Sequence, residues 1–469
     1  MEAGSEAMKD IAQRVARRVD ELAHWAARVR WTDIPAEAAR RAVMVIADDL
    51  AAMVASRDEP EVARVHAQLL AKGSERTATL FRGGRSRTDP VSAAIGNAIA
   101  ANWSELDEGY RKATCHAGLY AVPALLAEAE AGGWRVADVL RSLVVAYEVV
   151  TRFARAWSFP SLTLHPHALF GAVGAAVAVG ILQGLDGSSL RDALTAAASL
   201  VSVGPYNHAV EGALVRNVWA AVGAFSGMQS VCWAKAGIGG LARTPYDVYS
   251  RALGGQVEPE RLVEGLGEEW AIRDGYHKLY SCCQYAHSAV EATLEIAALL
   301  SPEDRCERVT RVVVETHRLG LTLDNYDPRT SLAARFSMPH IVATVLALGS
   351  AGPDAFGSHS LRRPEIERLR SKVELRPYTP ELPWPNDRPA RVTVQLADGR
   401  ELQRECLSAR GGPDRPLTEK ELLQKVARLT ADVYPCLVQV FEELLVLRPA
   451  ELECAWAQVV ERFCEGAGL

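Results

Sequence analysis

The sequence lacks the marks of several large protein classes. Its nine cysteines are odd in number and irregularly spaced, so no disulfide framework is expected. Cys282 and Cys283 are adjacent rather than CxxC, and no Cys/His cluster has zinc or iron–sulfur spacing. There is no polybasic run. Lysines and arginines are scattered among acids and the net charge is −6, which argues against nucleic acid as a partner. Met1 to Glu6 is polar and acidic, with neither a basic n-region nor an apolar h-region, so a secretory signal is not expected. Long hydrophobic runs are scarce. The stretch 168–182 is uncharged but short and rich in Gly and Ala, and 217–234 is interrupted by Asn217, Ser226, Gln229 and Ser230. Both read as helices buried inside a large protein rather than membrane spans. The expectation is a cytoplasmic protein that needs no metal.

What is there is ordinary globular composition, 49% hydrophobic and 23% charged over 469 residues, enough for two or three domains. Apolar residues at helical spacing predict helices over 10–29, 35–55, 60–72, 90–103 and 136–156, several opened by a proline suited to a first turn. Pro123 is expected to open another helix, to about 131. Small-residue helices near 168–183 and 217–236 should form the innermost layer. After Gly275 the texture changes. The β-branched run 309–316, a short strand at 372–375, and the alternating 391–396 leading through Asp398-Gly399 into 401–406 predict strands and a hairpin. Helices at 288–300 and 339–348 lie between them. From Thr418 the pattern is helical again, starting with a capping box, Thr418-Glu419-Lys420-Glu421. This order predicts a mainly α protein: a large all-helical domain, 1–275 completed by 408–469, with an inserted smaller α+β lid domain at 276–407.

Five polar clusters sit on loops that feed helix starts, where functional groups concentrate. They are Glu105 to Gly118, with Asp107, Arg111 and His116; His165-Pro166-His167; Glu211-Gly212 followed by Arg216-Asn217; Lys278 to His287, with Tyr280; and Phe336 to His340. Singly, each also fits a solvated loop, a surface charge or a plain helix start. Arg216 has the fork geometry that suits a carboxylate.

Taken in this order, the segments resemble the MmgE/PrpD family, which includes 2-methylcitrate dehydratase, cis-aconitate decarboxylase and iminodisuccinate epimerase. The resemblance rests on Glu105-Leu106-Asp107-Glu108-Gly109, His116-Ala117-Gly118 before Pro123, and His165 to Ala176 with Gly184-Leu185-Asp186. It continues through Glu211-Gly212 with Arg216-Asn217, then Lys278, Tyr280, Cys283 and His287. Phe336-Ser337-Met338-Pro339-His340, Gly411-Gly412-Pro413 to Leu417, and Lys425 complete it.

The resemblance implies a cofactor-independent enzyme acting on a small-molecule carboxylic acid, built as a homodimer with its site in the cleft between domains. A dehydratase of a hydroxylated di- or tricarboxylic acid is the first expectation. Epimerisation or decarboxylation by proton transfer at carbon is the alternative, and a non-catalytic member is a third. His116 is expected to move the proton, with Lys278 as a second carrier or carboxylate ligand, Asp107 orienting a basic neighbour, and His340 standing where the family has a phenol. Arg216 and Arg111 would clamp the acid, and Tyr280, His287 and His165 would line the pocket. Departures from the pattern are Ala117 for a proline, Tyr110 for a histidine, His340 for a tyrosine, and Arg216 where dehydratases and decarboxylases tend to have lysine. Arginine cannot act as a base. These departures point to an acid of specialised or secondary metabolism.

Overall fold

The computed structural model describes residues 2–72, 75–159 and 162–465. The chain is mainly α. Its predicted helices appear close to where their periodicity puts them, and their starts show why. Asp89 accepts a hydrogen bond from the Ser92 N–H (2.9 Å) and Pro90 takes the first turn of the helix Pro90–Trp103. Thr418 and Glu421 close the expected capping box on the helix Glu419–Thr430. One start differs. The helix expected to open at Pro123 instead opens at Ala117, with His116 as its N-cap and Pro123 inside. Helix propensity is strong on both sides of the proline, and tertiary packing supports the turn that its missing N–H leaves unbonded. This shift places His116 at the mouth of a buried helix.

Two small-residue helices, Pro166–Leu182 and Trp219–Lys235, cross closely. A Cβ on Gly223 would lie 2.7 Å from the Gly171 Cα, so the crossing needs glycine. The first is buried along its whole length, as expected. The second is not: Val222, Phe225 and Trp233 leave a solvent-facing apolar stripe at helical spacing, with exposures of 38%, 43% and 37%. Its glycine face packs inward and its bulky residues face out.

After residue 300 a four-stranded sheet forms from β1 (Val309–Thr316), β2 (Val373–Pro377), β3 (Ala390–Leu396) and β4 (Glu401–Cys406), in the order β4-β3-β1-β2. β3 and β4 make the hairpin read from Asp398-Gly399, with Val394 opposite Leu402 and Gly399 at φ +87°. β1 pairs antiparallel with β3 and parallel with β2. Helices His287–Ala297 and Met338–Leu348 pack on this module.

The buried apolar residues form two cores. One runs from Val15 to Ile272 and resumes at Leu417. The other runs from Cys282 to Ala409, with Tyr206 and Ala209 reaching into it. Lys425, on the helix Glu419–Thr430, donates to Asp48 Oδ1 (2.5 Å) and to the Leu106 carbonyl (3.0 Å), tying that helix to the acidic loop.

Candidate active site

Between the two cores lies a small, partly open cavity of about 50 Å³. Its walls carry His116 and Glu105 from the acidic loop, His165 and Arg216 from the helical side, and Lys278 and Cys283 after Gly275. Tyr276, Tyr206, Tyr285, Gln284, Phe336 and Arg388 complete them.

His116 is the group best placed for proton transfer. Its Nδ1 sits 2.6 Å from Asp107 Oδ2 and 2.7 Å from the Glu108 carbonyl oxygen. Both neighbours accept, so the proton resides on Nδ1 and Nε2 is left as a lone pair. Among the described residues Nε2 has no protein partner.

Glu105 and Asp107 hold the cations. Arg216 Nη1 lies 2.5 Å from Glu105 Oε1, and Lys278 Nζ lies 3.1 Å from Glu105 Oε2 and 3.3 Å from Asp107 Oδ1. All four side chains are at most 3% exposed. Burial alone would strip the charge from Lys278, but Asp107 and Glu105 outweigh it and hold the ammonium above its usual range. Burial likewise opposes ionisation of Asp107, yet Lys278 and His116 hold that carboxyl below the usual range. Glu105 is one of two non-glycine residues with positive φ (52°) among the described ones. Left-handed backbone at such a residue costs about 1–3 kcal/mol and persists where the surroundings over-determine it, as this double ion pair does.

Arg216 is further fixed by donating to Asn102 Oδ1 (2.6 Å) and, through Nε, to His165 Nε2 (3.2 Å), with its guanidinium 5.1 Å from the Phe336 ring. His165 stacks on Tyr206, ring centres 5.5 Å apart. Burial and then Arg216 push its imidazole well down, so it is neutral. Glu108 faces away from the cavity, bonded to the Gly118 N–H (2.5 Å) and the Tyr147 hydroxyl (2.8 Å), and burial pushes its carboxyl up to about 8.

Asp107, His116 and His167 place three metal-type donor atoms within 4.8 Å, a grouping the sequence spacing did not suggest. Asp107 and His167 are already engaged by protein partners, and His116 is left with Nε2 alone. His167 Nδ1 accepts from the Tyr120 hydroxyl (2.9 Å) and its Nε2 donates to Asn102 Oδ1 (3.1 Å), while His116 Nδ1 serves Asp107. The set is a hydrogen-bond relay that orients His116 and Arg216.

Of the residues singled out from sequence, His116, Lys278, Arg216 and His165 meet at the cavity and Asp107 stands directly behind it. Four others do not reach it. His340 lies in the second core, between Ser360 Oγ and Arg370 Nη1 (3.2 Å each), and Phe336 takes the place at the wall. His287 bonds the Cys282 carbonyl (3.2 Å), with Tyr280 packed edge-on to its ring and the Tyr280 hydroxyl turned to Glu291. Arg111 is occupied by Asp387 (2.6 Å), the Pro385 carbonyl (3.2 Å) and the Trp384 ring (4.8 Å). Asn102, Tyr276 and Arg388 were not anticipated, and His167 was named only within its cluster, without a role. Asn102 lies at the end of an apolar helix, where only the polar break in the run could have marked it.

A mainly helical protein with an α+β module, closing two buried acids, two buried cations and a neutral imidazole around one small cavity, holds a site suited to acid–base chemistry on a small anion. The chain belongs to the MmgE/PrpD family: residues 20–251 match the MmgE/PrpD N-terminal domain and residues 280–446 the MmgE/PrpD C-terminal domain. Its relatives include the cis-aconitate decarboxylase-like protein oryM of Aspergillus oryzae, 26% identical over 88% of this chain and 90% of that protein. Cis-aconitate decarboxylase of Aspergillus terreus is 27% identical over 88% and 89%. The human cis-aconitate decarboxylase is 26% identical over 72% of each chain.

Proposed function

We propose that this chain is a cofactor-independent lyase acting beside a carboxylate, with dehydration of a hydroxylated di- or tricarboxylic acid as its reaction. The observation that carries this reading is His116 Nε2, a lone pair free of protein partners at the wall of a cavity shared with Arg216 and Lys278. Arg216 and Lys278 bind the carboxylate and take up the negative charge that develops on its oxygens as His116 removes the proton from the neighbouring carbon. The C–O bond then breaks, the carbon–carbon double bond forms, and the hydroxyl leaves as water with the proton returned from His116. Lys278, held as an ammonium, serves as carboxylate ligand rather than base. An arginine at 216 in place of lysine favours an acid of specialised metabolism.

The names of the relatives favour a second reading, decarboxylation. There the same cations would stabilise the carbanion left by carbon dioxide, and His116 as imidazolium would protonate it. Epimerisation would use the proton transfer alone. A panel of hydroxylated and unsaturated di- and tricarboxylates in deuterated water separates them by water loss, carbon dioxide release, or exchange without net change. If no acid in the panel gives any of these, the reading fails.

The proposal includes a helical main domain (1–275 and 408–469) with 276–407 as its lid, which the two cores support. Residues 1, 73–74, 160–161 and 466–469 of that division lie outside the described residues. A homodimer is also proposed, supported by the Val222–Phe225–Trp233 stripe and the neighbouring exposed Ile238 and Leu241. So is a cytoplasmic location; no described helix is long and apolar enough to cross a membrane.

A further inference from the structure

Arg388 reaches the cavity from outside the expected set. It lies on the segment 378–389, which joins β2 to β3 without helix or strand and carries four prolines. Its guanidinium sits 4.9 Å from the Tyr285 ring, with Nη1 donating to Gln284 Oε1. Only 12% of the side chain is exposed, and its buried Nε has no hydrogen-bond partner among the described residues. The nearest acid, Asp387, is 3.7 Å from Nε, and the other Asp387 oxygen is taken by Arg111. Arg216 and Lys278 are differently placed, since Glu105 and Asp107 already contact them at 2.5–3.3 Å. Arg388 is therefore the least neutralised cation on the cavity wall. A buried guanidinium with an unmet donor is built to receive a carboxylate.

The cavity volume supplies the second argument. About 50 Å³ is room for a few waters at roughly 10–15 Å³ each, a tight fit for a di- or tricarboxylate. A wall that yields would widen it for substrate. The 378–389 segment is a wall without helix or strand, held by polar contacts: Arg111 latches it through Asp387, the Pro385 carbonyl and Trp384, and Ser288 Oγ holds the Arg388 carbonyl (2.6 Å).

Resting on the lyase reading above, we infer that Arg388 binds a second carboxylate of the substrate, brought to the site on a strap (378–389) that Arg111 latches shut. Arg388 is then a specificity-determining residue that selects di- and tricarboxylates over monocarboxylates, and Arg111 is a positioning residue acting through it.

The test is binding by the full chain, read by NMR titration, with tricarballylate and butyrate as probes of three carboxylates and one. Arg388→Gln is expected to weaken tricarballylate at least tenfold and change butyrate less than twofold, with Arg388→Lys intermediate. Arg216→Ala should weaken both. Equal binding of tricarballylate by Arg388→Gln and the unsubstituted protein overturns the inference. So does an equal loss for both probes, which would mark Arg388 as merely structural. If Arg388→Gln does not fold, Arg388→Lys decides by the same comparison. Either failure leaves the lyase reading standing, because Arg216→Ala still reports on it. If the unsubstituted protein binds neither probe, the lyase reading falls and takes the inference with it.

Discussion

His116 Nδ1 and Asp107 Oδ2 are 2.6 Å apart, and Asp107 is wholly buried while the His116 side chain keeps 12% exposure. The pair thus has a dry end and an open end. The acid fixes the tautomer from behind and the free nitrogen meets the cavity. His116→Ala should lower kcat by about 100-fold or more, the usual scale for a positioned acid or base, with KM changed far less. Added imidazole should restore part of the lost rate. Unchanged turnover would move the proton carrier elsewhere.

Arg216 has four anchors, Glu105, Asn102, Asn217 and His165, and a lysine cannot satisfy all of them from one point charge. Arg216→Lys should therefore raise KM by about tenfold, the scale of one charge-assisted contact, with kcat changed less. Arg216→Ala should raise KM further. Steady-state kinetics with the acid found in the panel decides it. A rise in kcat for Arg216→Lys would place the site nearer to lysine-bearing relatives.

The residues that gather at the cavity were legible because each lies beside a helix start marked by a local signal. His116 caps Ala117–Gly132 and His165 caps Pro166–Leu182. What failed was direction within irregular backbone. Lys278, Tyr280 and His287 fall within ten residues, yet the loop has no period, and Lys278 turns to the cavity while the others turn to Glu291 and Cys282. His340 was misplaced for a related reason. Ser337 caps its helix, so Phe336, just outside, faces the site and His340 one turn later enters the core. Arg388 was invisible because a proline-rich connection gives no sign of what it covers. The helices and the hairpin carry their own period and caps, which is why they were readable.

Buried histidines should make the protein acid-sensitive. Burial pushes His287 and His340 down to about 3 and His317 to about 4, below the ordinary 6.5. Between those values the unfolded chain binds protons that the folded chain refuses, so their stability contribution is present above 6.5 and is lost as pH falls. Glu108 works oppositely. With its folded value raised to about 8 from 4.5, it destabilises progressively as pH rises through that window. Melting temperature should fall from pH 6.5 to 4.5, less steeply in His340→Gln. That variant should keep kcat at pH 7 within about threefold, as expected of a group outside the cavity. A loss of about 100-fold in kcat at unchanged stability would put His340 back into catalysis.

Chelation tests the Asp107–His116–His167 grouping. Since Tyr120 and Asn102 occupy both His167 nitrogens, a metal bound by His167 would have to displace one of these hydrogen bonds. Activity should survive exhaustive dialysis against EDTA. Stoichiometric metal in the purified protein, with activity lost on its removal, would contradict the relay.

The apolar stripe on Trp219–Lys235 makes the last prediction. Val222, Phe225 and Trp233 lie at intervals of three and eight residues on the solvent-facing side of that helix, whose other sides pack on Pro166–Leu182, Pro90–Trp103 and Gly187–Ser199, and Ile238 and Leu241 extend it with exposures of 61% and 62%. Scattered exposed apolar residues need no explanation, but a contiguous stripe on a helix whose opposite face is glycine-packed does. In the homodimer proposed above, this stripe would be covered by its counterpart. A charge at its centre would be desolvated by association, which costs several kcal/mol unless it is paired. Phe225→Glu should therefore convert the dimer to monomer at micromolar concentration, measured by sedimentation velocity, with little change in the melting of the monomer. Because His165 and Arg216 are positioned from the two helices that this stripe backs, the monomer should also lose activity. A Phe225→Glu protein that remains dimeric would show that the stripe is not the interface.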